Sequence, residues 1–389
     1  MNTPRFGIKM FAPAFGMLAL CLVTPSLHAT VRFVETDLVS DIPGRAPKTD
    51  PNLVNPWGLA FSGGSPIWVS DNGTDRSTLY NGAGTPVALV VTIPNPGGGT
   101  ASPTGMIFNA TAGAAAGATF NGDNFIFATE DGTIAGWRGA LGTTAQTLLD
   151  HTGQGSVYKG LAFSGTGAAN SYLYATDFHN NRIDVLANGA SPALAGNFTD
   201  PNMPAGYAPF NIQNLGGKLY VTYAMQDADA HDDVAGPGNG FIDIYNLNGV
   251  FSKRLVSHGP LDSPWGMALA PTSWGPYGGD LLVGNFGDGT INAFNPNSGS
   301  FVGNLKRPDG SALVIDGLWG LAFGNGAQGT TKDELYFAAG IPGDGAIEDH
   351  GLFGKITTKD VPEAGASAAG LTLIGLIATA GLRRRLDRT

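Results

Sequence analysis

The densest group of side chains able to do chemistry is an acidic segment in the middle of the chain. It contains Asp227, Asp229, His231, Asp232 and Asp233, followed by a Gly-Pro-Gly run. Carboxylates this close together suit a hard cation such as Ca²⁺, and the histidine would suit a transition metal. The segment lacks the glycine and glutamate spacing of an EF-hand. Two interpretations therefore stand, a divalent-cation site and a solvated acidic loop.

A second set of candidates consists of polar residues that interrupt an apolar repeat. Asn211 and Gln213 lie within a predicted strand, and Asn55 and Lys159 come just before two others. Because a binding or catalytic group should break the repeat, we predict that these four line the mouth of an axial channel and contact a ligand. Four other residues are predicted to follow the repeat and to cap turns: Asp71, Glu130, Asp177 and Asn285.

The elements that position these residues follow from a phrase that returns six times, a Gly-aliphatic-Ala-Phe strand with two short strands after it. A strand repeat of about fifty residues cannot bury its faces alone and is typical of propeller blades. We predict an all-β, six-bladed β-propeller, with seven blades as the alternative. The last blade lacks an outer strand, and the N-terminal strand Val31–Thr36 is predicted to complete it. The inner strands are predicted to start at Gly58, Gly105, Gly160, Phe210, Gly266 and Gly320.

Both ends of the chain are predicted to be targeting segments around a propeller body of residues 30–358. Residues 1–29 have the basic start, apolar run and small final residue of a signal peptide, which directs the chain to the Sec translocon. Residues 361–389 contain an apolar stretch, 364–382, long enough for one membrane-spanning helix. The basic cluster Arg383, Arg384 and Arg385 should stay cytoplasmic, with the body in the periplasm.

Composition excludes several functional classes. The formal net charge is −10 and no basic stripe is present, which argues against nucleic-acid binding. The single cysteine, Cys21, lies in the predicted signal peptide, so the mature chain would have neither disulfides nor thiol catalysis. The sequence also lacks a P-loop and a serine elbow in a strand–turn–helix context. These exclusions favour binding over catalysis.

Two resemblances add to this interpretation. Val361, Pro362 and Glu363, followed by the apolar stretch and the arginine cluster, closely resemble the PEP-CTERM sorting signal, although Ala364 stands where the usual motif has a second proline. That resemblance implies sorting by an exosortase at the inner membrane. The body resembles an uncharacterised family of secreted proteins with NHL-like blades, through residues 55–60, 68–73 and 226–240. This second resemblance implies a propeller but no activity.

The sequence thus predicts an exported propeller, at the cell surface or in extracellular matrix, that binds an unknown ligand without catalysing a reaction. The alternative is a metal-dependent hydrolase of the lactonase type, with a cation in the axial channel. The first interpretation requires no cofactor, whereas the second requires Ca²⁺ or another divalent cation.

Overall fold

The computed structural model describes residues 29–113, 118–343 and 346–362. The chain divides into two compact units, Val31–Lys359 and the pair of chain ends Met1–Thr30 and Asp360–Thr389. Only residues 29–30 and 360–362 of the second unit are described. The predicted signal peptide, except for its last residue, and the predicted 364–382 helix lie outside the described residues. Within the described ranges, no helix is long and apolar enough to cross a membrane.

The first unit is built from short strands in chain order. The N-terminal strands are β1 (Ala29–Ser40) and β2 (Lys48–Thr49). Blade 1 holds β3 (Pro56–Ala60), β4 (Ile67–Asp71), β5 (Arg76–Tyr80) and β6 (Val91–Thr92). Blade 2 holds β7 (Pro103–Phe108), β8 (Phe125–Thr129), β9 (Thr133–Trp137) and β10 (Gln146–Asp150). Blade 3 holds β11 (Tyr158–Gly165), β12 (Ser171–Asp177) and β13 (Arg182–Ala187).

The second half continues the same pattern. Blade 4 holds β14 (Tyr207–Leu215), β15 (Lys218–Met225), β16 (Phe241–Asn246) and β17 (Phe251–Ser257). Blade 5 holds β18 (Pro264–Leu269), β19 (Leu281–Asn285), β20 (Ile291–Phe294) and β21 (Phe301–Asn304). Blade 6 holds β22 (Leu318–Phe323), β23 (Leu335–Ile341) and β24 (His350–Pro362). The described helices are five single 3₁₀ turns: Asn72–Thr74, Phe120–Gly122, Gly139–Leu141, Thr152–Gln154 and Gly275–Tyr277.

These strands form a six-bladed propeller, which confirms the predicted all-β class and blade number. Each of the six sheets in the described chain has its inner strand at one end. In blade 6 the strand order is β2-β1-β24-β23-β22, so the N-terminal strand completes the last blade. That strand is longer than the predicted Val31–Thr36. Its pairing with β24 removes a sheet edge that would otherwise be exposed.

A β-bulge at the start of every inner strand sets the geometry of the channel. The register between the first two strands of each blade shifts at the same place, for example between Pro56 and Leu59 in blade 1 and between Pro264 and Met267 in blade 5. Such bulges turn side chains out of the regular alternation. The inner strands begin two or three residues before the predicted positions because this bulged segment belongs to the strand.

The glycine that follows the bulge is required by close packing between blades. A Cβ atom on Gly58 would lie 2.6 Å from the backbone oxygen of Thr104, and one on Gly320 would lie 2.4 Å from that of Trp57. Only glycine allows the inner strands to approach this closely near the axis. The recurring phrase therefore reflects packing, as the sequence indicated.

Candidate functional site

The channel is filled by one residue from each blade, the residue just before the conserved-in-repeat glycine. In four blades this residue is aromatic, and these four buried side chains form the aromatic plug: Trp57, Phe210, Trp265 and Trp319. The rings of Trp57 and Trp319 stack with centroids 3.4 Å apart, and Trp265 meets both edge-on at 5.8 Å. Since Trp57 and Trp265 come from blades that are not neighbours, their contact crosses the axis.

Lys159 occupies the same repeat position in blade 3, where the other blades favour an aromatic ring. Its side chain is 1% exposed, and Nζ lies 5.2 Å from the ring centroid of Trp57. Nζ donates hydrogen bonds to the carboxylates of Glu130 and Asp232, the latter at 3.0 Å. Burial alone lowers the pKa of Lys159, but the two carboxylates outweigh it and raise the pKa above its ordinary value. The ammonium therefore stays charged.

A second ring of side chains lies at the ends of the second strands, on the side of the channel where the inner strands begin. It is formed by the residue after the one paired with the start of the inner strand. In four blades this position holds a large side chain: Asn72, Glu130, Phe178 and Phe286. Glu130 was predicted to match Asp71, Asp177 and Asn285. The register instead pairs Thr129 with Pro103, so Thr129 is the equivalent residue and Glu130 lies one position further on.

The other two blades have small residues here and supply a side chain from a longer loop. The small residues are Ala224 in blade 4 and Gly340 in blade 6. Asp232 reaches Lys159 from the blade 4 loop. A Cβ atom on Gly340 would lie 2.2 Å from Oδ1 of Asn55 and 3.2 Å from Cγ of Glu348, so the glycine makes room for both.

Hydrogen bonds join these side chains around the axis. Nδ2 of Asn55 donates to Glu348 Oε1 at 3.0 Å and to Asn72 Oδ1 at 3.3 Å. Nδ2 of Asn72 donates to Glu130 Oε2 at 2.8 Å. Burial raises the pKa of Glu348 to about 7. We call this connected group the polar mouth: Asn55, Asn72, Glu130, Lys159, Asp232 and Glu348.

The acidic segment contributes only part of its predicted ligand set to this mouth. Ligand atoms of Glu130, His231 and Asp232 lie within 4.8 Å of one another and could hold a metal ion. The hydrogen bond from His231 lowers the pKa of Asp232, and the same bond raises the pKa of His231. Two of the three groups, Glu130 and Asp232, already contact the Lys159 ammonium. A bound cation would therefore have to displace or repel that ammonium.

The remaining members of the predicted metal set have other surroundings. Asp227 accepts a hydrogen bond from the backbone N–H of His231, which shapes the loop. Asp229 is exposed on the loop. Burial raises the pKa of Asp233 to about 6, and neither it nor Asp227 or Asp229 belongs to the candidate metal group found among the described residues.

The four predicted channel residues do not form one site. Asn55 and Lys159 belong to the polar mouth, as described above. Asn211 is buried in the wall, where its Nδ2 donates to the backbone oxygen of Trp265 at 2.8 Å. Gln213 lies two residues further along β14, which moves it about 7 Å toward the opposite end of the channel. There it lines a separate cavity.

That cavity, the apolar mouth, has a volume of about 580 Å³. Three consecutive residues from every inner strand line it: 59–61, 106–108, 161–163, 213–215, 267–269 and 321–323. The plug residues come two or three positions before these on the same strands, so the plug separates the two mouths.

Of the predicted sorting motif, Val361 and Pro362 end β24. Glu363, Arg383, Arg384 and Arg385 lie outside the described residues.

Comparison with solved structures shows the fold alone. A structural-genomics protein of unknown function from Bacteroides thetaiotaomicron matches over 85% of this chain and 77% of its own, with a TM-score of 0.52 and 10% identity. A glucose dehydrogenase matches over 83% of this chain and 99% of its own, with a TM-score of 0.50 and 12% identity. At such identities the likeness does not carry an activity.

Sequence comparison is more specific. No family model matches the chain. The uncharacterised protein R648 of Acanthamoeba polyphaga mimivirus is 35% identical over 335 residues, which are 83% of this chain and 80% of R648. The uncharacterised protein L690 of the same virus is 35% identical over 315 residues, 78% of this chain and 80% of L690. The chain therefore belongs to the same family as these mimivirus proteins.

Proposed function

We propose that this protein is an exported propeller that acts by binding, at the cell surface or in extracellular matrix, through its polar mouth. The observation that carries the proposal is the charged Lys159 ammonium, held at the axis between Glu130 and Asp232. A lysine nucleophile or base needs its neutral form, which burial near other cations promotes. Here the neighbouring carboxylates stabilise the ammonium instead.

The rest of the polar mouth supplies groups for recognition. The amides of Asn55 and Asn72 and the carboxyl of Glu348 can each donate or accept hydrogen bonds at neutral pH. Asp232 is the accessible member of the group, since 65% of its side chain is exposed. A polar ligand that approaches along the axis would meet Asp232 first and the buried Lys159 beneath it.

Export is the second part of the proposal and rests on the sequence of the chain ends. The signal-like residues 1–29 imply passage through the Sec translocon, and residues 361–389 imply an exosortase-type sorting enzyme at the inner membrane. Removal of Arg383, Arg384 and Arg385 should mislocalise the protein, as measured by fractionation of cells. Unchanged localisation would contradict this part alone.

The binding proposal is tested by adding purified, labelled full-length protein to cells and matrix of the source organism. We expect the unmodified protein to be retained, and Asp232→Asn and Lys159→Met to reduce retention about tenfold. The exposed Asp229→Asn, on the same loop, is the matched control and should leave retention unchanged. Equal retention of all variants, each shown to be folded by its melting temperature, would reject the polar mouth as the binding site.

A metal-dependent hydrolase is the second candidate, favoured by the convergence of Glu130, His231 and Asp232. If a metal is bound there, Ca²⁺, Zn²⁺ or Mn²⁺ should raise the melting temperature and EDTA should lower it, because a ligand of the native state stabilises it. Metal-dependent turnover of lactones or esters, lost in His231→Ala, would then replace the binding proposal. We expect neither effect, because Lys159 already neutralises two of the three ligands.

A further inference from the structure

We propose that the apolar mouth is a second binding site, which takes a small, uncharged and mostly apolar molecule with one hydrogen-bonding group. It lies at the opposite end of the channel from the polar mouth, so it goes beyond the function proposed above. The volume of about 580 Å³ falls within the range of small-molecule sites, which are concave, largely apolar and contain few polar groups.

The lining of the cavity selects the class of ligand. None of its eighteen lining residues is ionisable, and sixteen of them are apolar. A charged ligand would lose its hydration here without gaining a counterion, which is costly. An uncharged ligand would instead bury its apolar surface against side chains such as Phe61, Phe163 and Phe323.

Gln213 supplies the polar contact. The other polar lining residue, Asn214, already donates to the backbone oxygen of Phe163 at 2.9 Å and accepts from the backbone N–H of Gly217. Within the described ranges, no protein group hydrogen-bonds to the half-buried Gln213 carboxamide. The carboxamide has one acceptor and two donors, so it can pair with a hydroxyl, an amine or a carbonyl of a ligand.

The architecture makes this site a closed cup rather than a passage. The aromatic plug fills the channel beneath it, with Trp57, Trp265 and Trp319 in mutual contact. A ligand can therefore enter only from the side where the inner strands end. The rim is partly exposed, with Leu269 36% accessible, so entry needs no rearrangement of the blades.

The experiment titrates the full-length protein with N-phenyl-1-naphthylamine, an uncharged probe whose fluorescence rises in apolar sites. We expect one saturable site, competition by uncharged 1-naphthol, and competition by 1-naphthoate at least about tenfold weaker. Gln213→Leu should weaken probe binding about fivefold, the loss of one neutral hydrogen bond. Ala322→Leu, which narrows the cup, should weaken it about tenfold.

The matched control is Gln154→Leu, the same chemical change on an exposed residue outside the cup. It should leave probe affinity unchanged. The melting temperature of each variant reports folding, and Gln213→Leu remains informative if Ala322→Leu fails to fold. Absence of saturable binding, equal affinity of Gln213→Leu and the unmodified protein, or equal competition by naphthoate and naphthol would each overturn the proposal.

Discussion

The two mouths of the channel are built from the same six inner strands, yet they have opposite chemistry. The apolar mouth is made by the regular part of the repeat, because each strand contributes the same three positions and most of them are apolar. The polar mouth is made by exceptions, such as Lys159 at a position where other blades have tryptophan. A symmetric scaffold thus gives a uniform surface where the repeat is kept and a specific one where it is broken.

The aromatic plug keeps the mouths apart, and its removal should have the largest effect. Trp319→Ala deletes a ring that stacks on Trp57 at 3.4 Å and on Phe286 at 4.0 Å. We expect a loss of about 4 kcal/mol in the free energy of unfolding, typical of a buried tryptophan. Urea denaturation of the full chain measures it. A loss below about 1 kcal/mol would mean that the rings do not support the ring of blades.

Lys159→Met tests the charge at the polar mouth. The change leaves Glu130, whose side chain is 14% exposed, without its cation, and should cost about 3 kcal/mol of stability. Lys332→Met, at an exposed lysine near the opposite end of the blades, is the control and should change stability by less than about 0.5 kcal/mol. Equal effects of the two substitutions would show that the buried ammonium contributes no more than a surface one.

Glu348 gives the polar mouth a pH dependence that the apolar mouth cannot have. Its pKa in the folded protein is about 7, above the ordinary 4.5, because burial disfavours the carboxylate. Between these values the folded state holds a proton that the unfolded state has released, so stability is greatest below about pH 4.5 and falls as pH rises to 7. The contribution lost is about 2 kcal/mol.

The measurement compares urea denaturation of the unmodified protein and Glu348→Gln from pH 4.5 to 8. Asp233 and Asp243, with pKa values of about 6 and about 7, titrate in the same range and should do so equally in both proteins. The difference between the two curves therefore isolates Glu348. Parallel curves would place its pKa near the ordinary value.

Asn211→Ala should have the smallest effect of the four. It removes the hydrogen bond to the Trp265 carbonyl within the wall between the mouths, at a cost of about 1.5 kcal/mol. Ligand retention at the polar mouth and probe binding at the apolar mouth should both stay unchanged. A selective loss at either mouth would mean that Asn211 contacts a ligand rather than positioning a neighbouring strand.

The sequence predicts the scaffold better than the site, for a physical reason. Blade number and closure by the N-terminal strand follow from repeated local patterns, which a single chain displays directly. Lys159 and Asn55 could be found because they interrupt such a pattern. Glu348 and Asn72 could not, because they come from loops of different length in different blades, and only the ring closure brings them together.

Gln213 illustrates a different limit. The sequence marks it and Asn211 as exceptions within one strand, but not the height of each along the axis. Asn211 occupies the repeat position of the glycine that packs against the next blade, as the short distance between its atoms and a Cβ on Gly160 indicates. Knowledge of the bulge in each inner strand would have been needed to assign the two residues to different levels of the channel.

The strand order of blade 6 also has a mechanical consequence. β24 is the third of five strands, between β1 and β23, and it is the last described strand of the chain. A pulling force applied through the residues that follow it would shear hydrogen bonds on both of its sides at once, instead of peeling one edge. We expect the propeller to resist tension from its C-terminal end better than a ring whose last strand lies at a sheet edge, which a single-molecule pulling experiment would measure.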